Sequence, residues 1–372
     1  MNINEYATDE TYGYAIENPI KVGGALIDGP DKEWLYLDAL AGPAGEKISY
    51  RRRGSRRASD DDGGPTDIYE ITYKGVDTPI VLYINMYDSD VLKVPVGFTL
   101  KEIDKITLIL TGQVVELEFE ANEDFTIDWG DGSVTEHCLS TSEEYTEDDI
   151  YFTYTHEYPN ENERTIVITG NDIAALTCRD IQITNLDISK NSSLVELDCT
   201  GNKLTSLDIS NTGLIQLDCA YNQLTSLDIS NTNLSHLNCQ SNQLTHLDVS
   251  YTELTGLFCS FNQLTNLDVS CKTNLTHLGC MENQLTQLDV SKNTMLRKLY
   301  CGGNQLTDLD VSYNTKLTHL DCASNQLTNL SIDKNCALEW LYCNNNPLTS
   351  LDVSKNSALS KFEHDDDLKI IR

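Results

Sequence analysis

One feature constrains the fold of this chain more than any other: cysteine recurs with a period of 20 or 21 residues through the second half. The units follow L-x-x-L-x-C-x-x-N-x-L-T-x-L-D, and an asparagine stands three residues after each cysteine except the first. A fixed period of this length indicates one supersecondary unit per repeat, stacked into a solenoid. The cysteines of the pattern are Cys178, Cys199, Cys219, Cys239, Cys259, Cys280, Cys301, Cys322 and Cys343.

The period and the recurrent phrase "NQLTxLDVSxNT" resemble the short leucine-rich repeats of internalin-like proteins and of many Bacteroidetes proteins, which carry cysteine at this position. The resemblance covers residues 173–372. It implies a mainly β protein, with about nine coils whose parallel strands line a concave face. It also implies a bacterial protein-recognition scaffold rather than an enzyme.

The cysteine column could be a metal site, a redox device or part of the core. Alternation along a strand sends Leu320 and Cys322 inward and Asp321 outward. Thiols in a straight row about 4.8 Å apart cannot form the tetrahedron that zinc requires, and they do not oppose one another as disulfide formation requires. The sequence therefore predicts a buried packing column. Cys138, Cys271 and Cys336 lie outside it, the last two on expected convex loops.

Two polar columns accompany the cysteines. The asparagine column is expected to hydrogen-bond the backbone of the adjacent coil. The aspartate column is expected to cap convex turns through side-chain to backbone bonds, with calcium binding as the alternative. The residue missing from the 20-residue coils falls on the convex side. The aspartates are Asp208, Asp228, Asp248, Asp268, Asp289, Asp310 and Asp352.

Residues 103–172 carry a second pattern, in which alternating runs such as "VELEF" and "TIVIT" predict half-buried strands. The "WGDGS" stretch predicts a turn whose glycines permit positive φ. Together with the later "YTHEY", these residues resemble polycystic-kidney-disease-type (PKD-like) β-sandwich domains. The resemblance implies a spacer or binding module ahead of the repeats.

Residues 1–102 predict a small β-rich α+β domain, which resembles a Bacteroidetes domain family of unassigned function. The only basic cluster, "RRRGSRRAS" at residues 51–59, is either a docking segment for an acidic partner or a solvated loop. An enzymatic or toxin-related activity in this domain, targeted by the repeats, is an alternative to the recognition hypothesis. The predicted domains are therefore 1–102, 103–172 and 173–372.

The formal charge of −32 opposes general binding to nucleic acid or anionic membranes. No apolar run is long enough to span a bilayer, and no secretory signal is present, so we expect a cytoplasmic monomer without cofactor or metal. The alternative is an exported adhesin whose signal was trimmed.

The residues expected to face outward from the strands are the candidate protein-binding site. Exposed aromatics on a rigid sheet are typical interface hot spots, although strand neighbours could merely cover one another. The acidic residues of the N-terminal half would steer a basic segment of the partner, and the histidines are expected to be polar contact residues. The aromatics are Phe258, Tyr300, Trp340 and Tyr342, the acidic residues Glu196, Asp198, Asp218 and Asp321, and the histidines His236, His277 and His319.

Overall fold

The structure is a computed structural model of the full chain. It describes residues 5–8, 10, 12–14, 19–22, 29–56, 66–76, 78–85, 93–100, 104–121, 124–137, 151–170, 172–210, 212–230 and 232–372. The chain divides into two compact units, residues 1–102 and residues 103–372. Cys138 and residues 57–59 of the arginine-rich segment lie outside the described residues.

The first unit combines a helix with a four-stranded sheet of order β2-β6-β5-β4. Every second residue of β5 from Asp67 to Ile71 is buried, as the alternation of a half-buried strand requires. Its apolar core includes Leu37 of the helix and Leu82 of β6. The elements are β1 (Glu5–Tyr6), β2 (Ile20–Lys21), α1 (Gly29–Asp38), β3 (Leu40–Ala41), β4 (Ile48–Arg56), β5 (Thr66–Tyr73), β6 (Ile80–Asn85), β7 (Lys93–Val94) and β8 (Thr99–Leu100).

The second unit begins with antiparallel strands, as expected for a sandwich. Five of them form a sheet of order β12-β11-β14-β9-β16. Gly130 of the "WGDGS" turn has a φ of +76°, and an added Cβ would lie 2.3 Å from the carbonyl oxygen of Thr165, so only glycine fits there. The strands are β9 (Lys105–Leu110), β10 (Val114–Ala121), β11 (Phe125–Asp128), β12 (Val134–His137), β13 (Tyr151–Glu157), β14 (Arg164–Gly170), β15 (Ile173–Thr177) and β16 (Ile183–Lys190).

The repeats form a solenoid in which each coil contributes one short strand to a parallel ladder. The strands pair leucine to leucine, for example Leu299 with Leu320 and Leu320 with Leu341. The ladder strands are β17 (Glu196–Asp198), β18 (Gln216–Asp218), β19 (His236–Asn238), β20 (Gly256–Phe258), β21 (His277–Gly279), β22 (Lys298–Tyr300), β23 (His319–Asp321), β24 (Trp340–Tyr342) and β26 (Lys361–Glu363). A second pair, β25 (Ser350–Asp352) and β27 (Lys369–Ile371), lies in the last coil.

The sandwich and the solenoid share one sheet. Strand β10 pairs antiparallel with both β13 and β15, and β15 pairs parallel with β17, so the described strands run β13-β10-β15-β17 and on to β26. The return strand of the first coil, β16, joins the other sandwich sheet through β9. The sandwich thereby covers the start of the solenoid, where Ile181 replaces the asparagine of the repeat. The predicted division at residue 172 stays a prediction, because the two parts also share a hydrophobic core.

The cysteine column is buried in that core, from Cys178 to Cys343. All described cysteines are free thiols, and Cys271 and Cys336 are exposed on convex turns. Burial raises the pKa of the column thiols, to about 12 for Cys280, which keeps them protonated at neutral pH.

The asparagine column forms the expected ladder. In the Asn325 coil, the side-chain amide donates to the carbonyl oxygens of Cys301 (3.1 Å) and Cys322 (3.2 Å). Its Oδ1 accepts a bond from the backbone N–H of Leu306 at 3.0 Å. Each asparagine therefore ties its own coil to the preceding one.

The convex turns contain the expected aspartate caps, with Asp208 Oδ1 accepting the N–H of Ser210 at 3.0 Å. They also contain a second buried polar column, which differs with coil length. The 20-residue coils use threonines such as Thr232, whose hydroxyl donates to Ile229 within the same turn at 2.8 Å. The 21-residue coils use asparagines such as Asn314, whose amide donates to Val290 of the preceding coil at 2.9 Å.

Candidate protein-binding face

The exposed side of the shared sheet is called the strand face. Because paired residues of adjacent strands point to the same side, the register sets out two rows of outward residues. The first row is Glu120, Ala175, Glu196, Gln216, His236, Gly256, His277, Lys298, His319, Trp340 and Lys361. The second row is Glu118, Thr177, Asp198, Asp218, Asn238, Phe258, Gly279, Tyr300, Asp321, Tyr342 and Glu363.

The C-terminal end of the strand face holds three of the four predicted aromatics. Trp340 is 41% exposed, and Tyr342 lies two residues further along the same strand. Lys361 places its Nζ 4.7 Å from the ring centre of Trp340 and 5.0 Å from that of Tyr342. The ring of His319 lies 4.5 Å from that of Trp340. These contacts hold the indole in position while leaving much of it exposed.

Phe258 lies apart from this group and is set into the sheet. The adjacent strand β21 supplies Gly279, where an added Cβ would approach Phe258 Cδ1 to 3.1 Å. Two residues before Phe258 on its own strand stands Gly256, where the distance from an added Cβ to Phe258 Cε2 would be 3.7 Å. The two glycines therefore leave room for the ring to lie across the strands. Its half-buried side chain is the apolar centre of the face between the acidic and the aromatic ends.

The three histidines alternate with other residues along the first row, as expected. Each follows a serine or threonine whose hydroxyl lies 2.9 Å from the histidine Nδ1, as in Ser235–His236, Thr276–His277 and Thr318–His319. Partial burial, together with the nearby Lys298 ammonium, lowers the pKa of both His277 and His319. The rings of His277 and His319 are therefore predominantly neutral near pH 7 and present fixed polar edges to a partner.

Two of the predicted acidic residues of the N-terminal half, Asp198 and Asp218, are already engaged within the sheet. Asp198 is buried and forms an ion pair with Arg179, a residue of the face that sequence reasoning did not single out. Asp218 accepts hydrogen bonds from Asn238 Nδ2 at 3.0 Å and Thr200 Oγ1 at 2.8 Å. Glu196, Asp198, Asp218 and Phe258 line one shallow depression of about 280 Å³.

Asp321 lies between Tyr300 and Tyr342 in the second row. Burial raises its pKa, and the Glu363 carboxylate on the terminal strand acts in the same direction. Its Oδ1 accepts the N–H of Ala323 at 3.1 Å. A partner group that donates a further hydrogen bond to the partly buried carboxylate of Asp321 would stabilise it.

Sequence reasoning missed a pair of aromatics that follow the strands. Tyr221 and Phe261 are 56% and 53% exposed and adopt φ values of +53° and +57°. The same turn position is glycine at Gly201 and Gly303. A bulky residue in this backbone region costs about 1–2 kcal/mol of folding free energy. Because each ring is largely exposed, its burial does not offset that cost. The sequence signal for these exposed aromatics is the position two residues after each cysteine, where Tyr221 and Phe261 stand in place of the glycine of other coils.

The first unit contains a separate group of buried polar side chains. Glu33 of α1 and Asp67 of β5 are each 1% exposed, and Tyr69 donates a hydrogen bond to Glu33 Oε2 at 2.9 Å. Arg52 of the arginine-rich strand pairs with Asp67. Burial, reinforced by Asp67, raises the pKa of Glu33 to about 8. The described part of the arginine-rich segment is therefore a strand, and its Arg52 neutralises the buried carboxylate of Asp67.

Within the described residues, no group of histidine, cysteine and carboxylate side chains is placed to hold a metal ion. No helix among them is long and apolar enough to cross a bilayer.

Residues 294–334 match the family described as "Leucine Rich repeats (2 copies)". The solenoid is a leucine-rich-repeat array. The prediction of leucine-rich repeats with a cysteine column is confirmed. The family match lies outside residues 103–172, so the PKD-like assignment stays a prediction.

Several solved structures are similar to the chain. The functional domain of InlJ from Listeria monocytogenes, which includes a cysteine ladder, is 32% identical, with a TM-score of 0.43 over 54% of this chain and 56% of that one. An LRR protein of Leptospira interrogans is 22% identical, with a TM-score of 0.31 over 51% and 71%. The internalin inlF of Listeria monocytogenes is 22% identical, with a TM-score of 0.29 over 52% and 86%.

The chain thus spans 56% of the length of the InlJ chain. No curated protein matches its sequence.

Proposed function

We propose that this chain is a non-catalytic recognition protein that binds a protein partner on the strand face. The observation that carries the proposal is the arrangement of Lys361, Trp340 and Tyr342, in which a lysine fixes an exposed indole on an open sheet. Large aromatic side chains that are already positioned lose little conformational entropy on binding, which favours affinity. The aromatic end is therefore the proposed energetic centre of the interface.

The rigid ladder beneath these side chains supports the same proposal. Leu299, Leu320 and Leu341 are at most 2% exposed beneath the aromatic end, and the asparagine ladder ties their coils together. Outward side chains can therefore vary from coil to coil while the backbone that presents them stays fixed. Such a division between an invariant interior and a variable face suits recognition.

The test is capture of a partner from native lysate of the source cells, with the captured protein identified by mass spectrometry. Trp340→Ala combined with Tyr300→Ala should weaken its binding strongly, because each hot-spot truncation costs roughly 2 kcal/mol, or about thirtyfold in affinity. The matched control is Tyr251→Ala with Tyr313→Ala, which removes two tyrosines that are 69% and 58% exposed on convex turns. Equal capture by the two double variants would refute the proposal.

A further inference from the structure

The strand face does not end where the repeats begin. Strand β10 of the sandwich belongs to the same sheet, and Glu118 pairs with Thr177 while Glu120 pairs with Ala175. Through β15 these rows continue directly to Asp198 and Glu196. A partner lying on the first coils therefore also meets the sandwich.

The alternation in "VVELEFEA" makes the sandwich end of the face acidic. Val115, Leu117 and Phe119 of β10 are fully buried, whereas Glu116, Glu118 and Glu120 lie on the opposite side. Adjacent strands are about 4.8 Å apart, so Glu120 and Glu196 stand roughly 10 Å from each other across β15. Carboxylates at that spacing can each pair with a different cation of one bound segment.

A basic side chain, Arg179, also lies at this acidic end of the strand face. Its guanidinium pairs with the buried Asp198, and the negative charges of Asp198, Asp218 and Glu118 all act to raise its pKa. Arg179 thus neutralises the charge of Asp198, whose carboxylate is buried away from a partner. Glu116, Glu118, Glu120, Glu196 and Asp218 remain as a negative surface.

The acidic surface is bordered by apolar groups that a basic segment also uses. Phe258 lies at the far edge of the depression, and the exposed residues Tyr221 and Phe261 follow strands β18 and β20 in the chain. Aromatic faces attract lysine and arginine cations and cover the methylene stems of their side chains. From β10 to β20 the face crosses five strand spacings, about 24 Å, which about seven extended residues would span.

We propose that the strand face across the sandwich–solenoid junction binds an extended lysine- or arginine-rich segment of the partner protein. The inference rests on the proposed function and specifies the chemistry of the partner. Glu116, Glu118 and Glu120 form one side of the site, Glu196 and Asp218 the middle, and Phe258 with the two turn aromatics the other side.

The test uses the full chain and two labelled twelve-residue peptides, one alternating lysine and serine and one alternating glutamate and serine. The lysine peptide should bind with an affinity that falls as salt rises, and the glutamate peptide should not bind. Replacing Glu116, Glu118 and Glu120 together by glutamine should weaken lysine-peptide binding about tenfold. The charge-matched control replaces Glu136, Glu161 and Glu163, which are exposed on the sandwich outside β10 and β13, and should change binding by less than about twofold.

A second variant separates binding from folding. Tyr221→Gly with Phe261→Gly places glycine where Gly201 and Gly303 already occupy the same turn. We expect unchanged or increased thermal stability together with several-fold weaker peptide binding. Unchanged binding would remove the turn aromatics from the site.

Two outcomes overturn the inference: no binding of the lysine peptide, or equal weakening by the glutamate triple variant and its control, which would reflect net charge alone. If either occurs while the Trp340 and Tyr300 double variant still loses its captured partner, only the basic-segment inference fails. If that double variant keeps its partner, the proposed function itself fails.

Discussion

Replacing Asn325 by alanine tests the ladder that holds the coils together. The native side chain makes four bonds: it accepts from the Leu306 N–H and donates to the carbonyl oxygens of Cys301, Cys322 and Ala323. Alanine removes all four at once and keeps the backbone path. The variant therefore isolates the contribution of one rung.

The structure shows which of these losses matters most. The carbonyl oxygens of Cys301 and Cys322 each keep a second amide donor from an adjacent rung of the ladder, at 3.0 and 2.9 Å. The carbonyl oxygen of Ala323 keeps the backbone N–H of Gly303 at 2.9 Å. The buried Leu306 N–H loses the side-chain partner that satisfied it. An orphaned buried donor costs about 1–3 kcal/mol, and the weaker pairing of the carbonyl oxygens together adds about 1 kcal/mol. We expect a total destabilisation of about 2–4 kcal/mol.

Urea unfolding of the full chain, with hydrogen exchange at the Leu306 amide, measures this cost. The matched control is Asn329→Ala in the same coil, where the side chain is exposed and the change should stay below about 0.5 kcal/mol. Faster exchange should be confined to Leu306 and its neighbouring coils. A cost for Asn325→Ala below about 1 kcal/mol would show that the ladder follows the fold rather than stabilising it.

Three further predictions address the interior and the face. The pKa of Glu33 is raised to about 8 from an ordinary 4.5, so the folded unit holds a proton that the unfolded chain releases. The free energy of unfolding should therefore fall as the pH rises from 4.5 to 8. Glu33→Gln should slow hydrogen exchange of the β5 amides at pH 8, with a gain of about 2 kcal/mol in their protection free energy. Iodoacetamide should label Cys271 and Cys336 but spare the cysteine column of the native protein, as shown by peptide mapping. Gly279→Ala should cost about 1 kcal/mol in urea unfolding, because its Cβ meets Phe258.

Each of these has its own control. Glu70→Gln lies on β5, where the side chain is only partly buried and pairs with Arg53, and its effect should not grow from pH 5 to pH 8; a similar pH dependence would refute the role of Glu33. Labelling of the column at the rate of Cys271 would contradict burial of that column. Gly213→Ala adds a Cβ whose nearest neighbour is 3.6 Å away, so it should be close to neutral; an equal cost at both glycines would exclude the Phe258 contact.

Much of the solenoid could be predicted because its pattern is local. Alternation along each three-residue strand and into the residue after it predicted the inward leucines and cysteines, and a turn of a few residues predicted the aspartate caps, as at Asp208. The outward positions of Trp340 and Tyr342 followed from the same alternation. Which outward residues pair with one another did not follow: the partner of Asp198 is Arg179, which lies one coil earlier and outside the strand triplets.

The repeat pattern alone predicts that residues 173–372 stack as leucine-rich repeats, because a 20- or 21-residue period with fixed apolar positions permits few other solutions. The start of the solenoid, by contrast, is set by long-range strand pairing. The pairing of Glu118 with Thr177 joins strands far apart in sequence, and their register depends on the combined fit of two sheets around one core. No local pattern encodes such a pairing, and through it the glutamates of the sandwich become part of the face of the repeats.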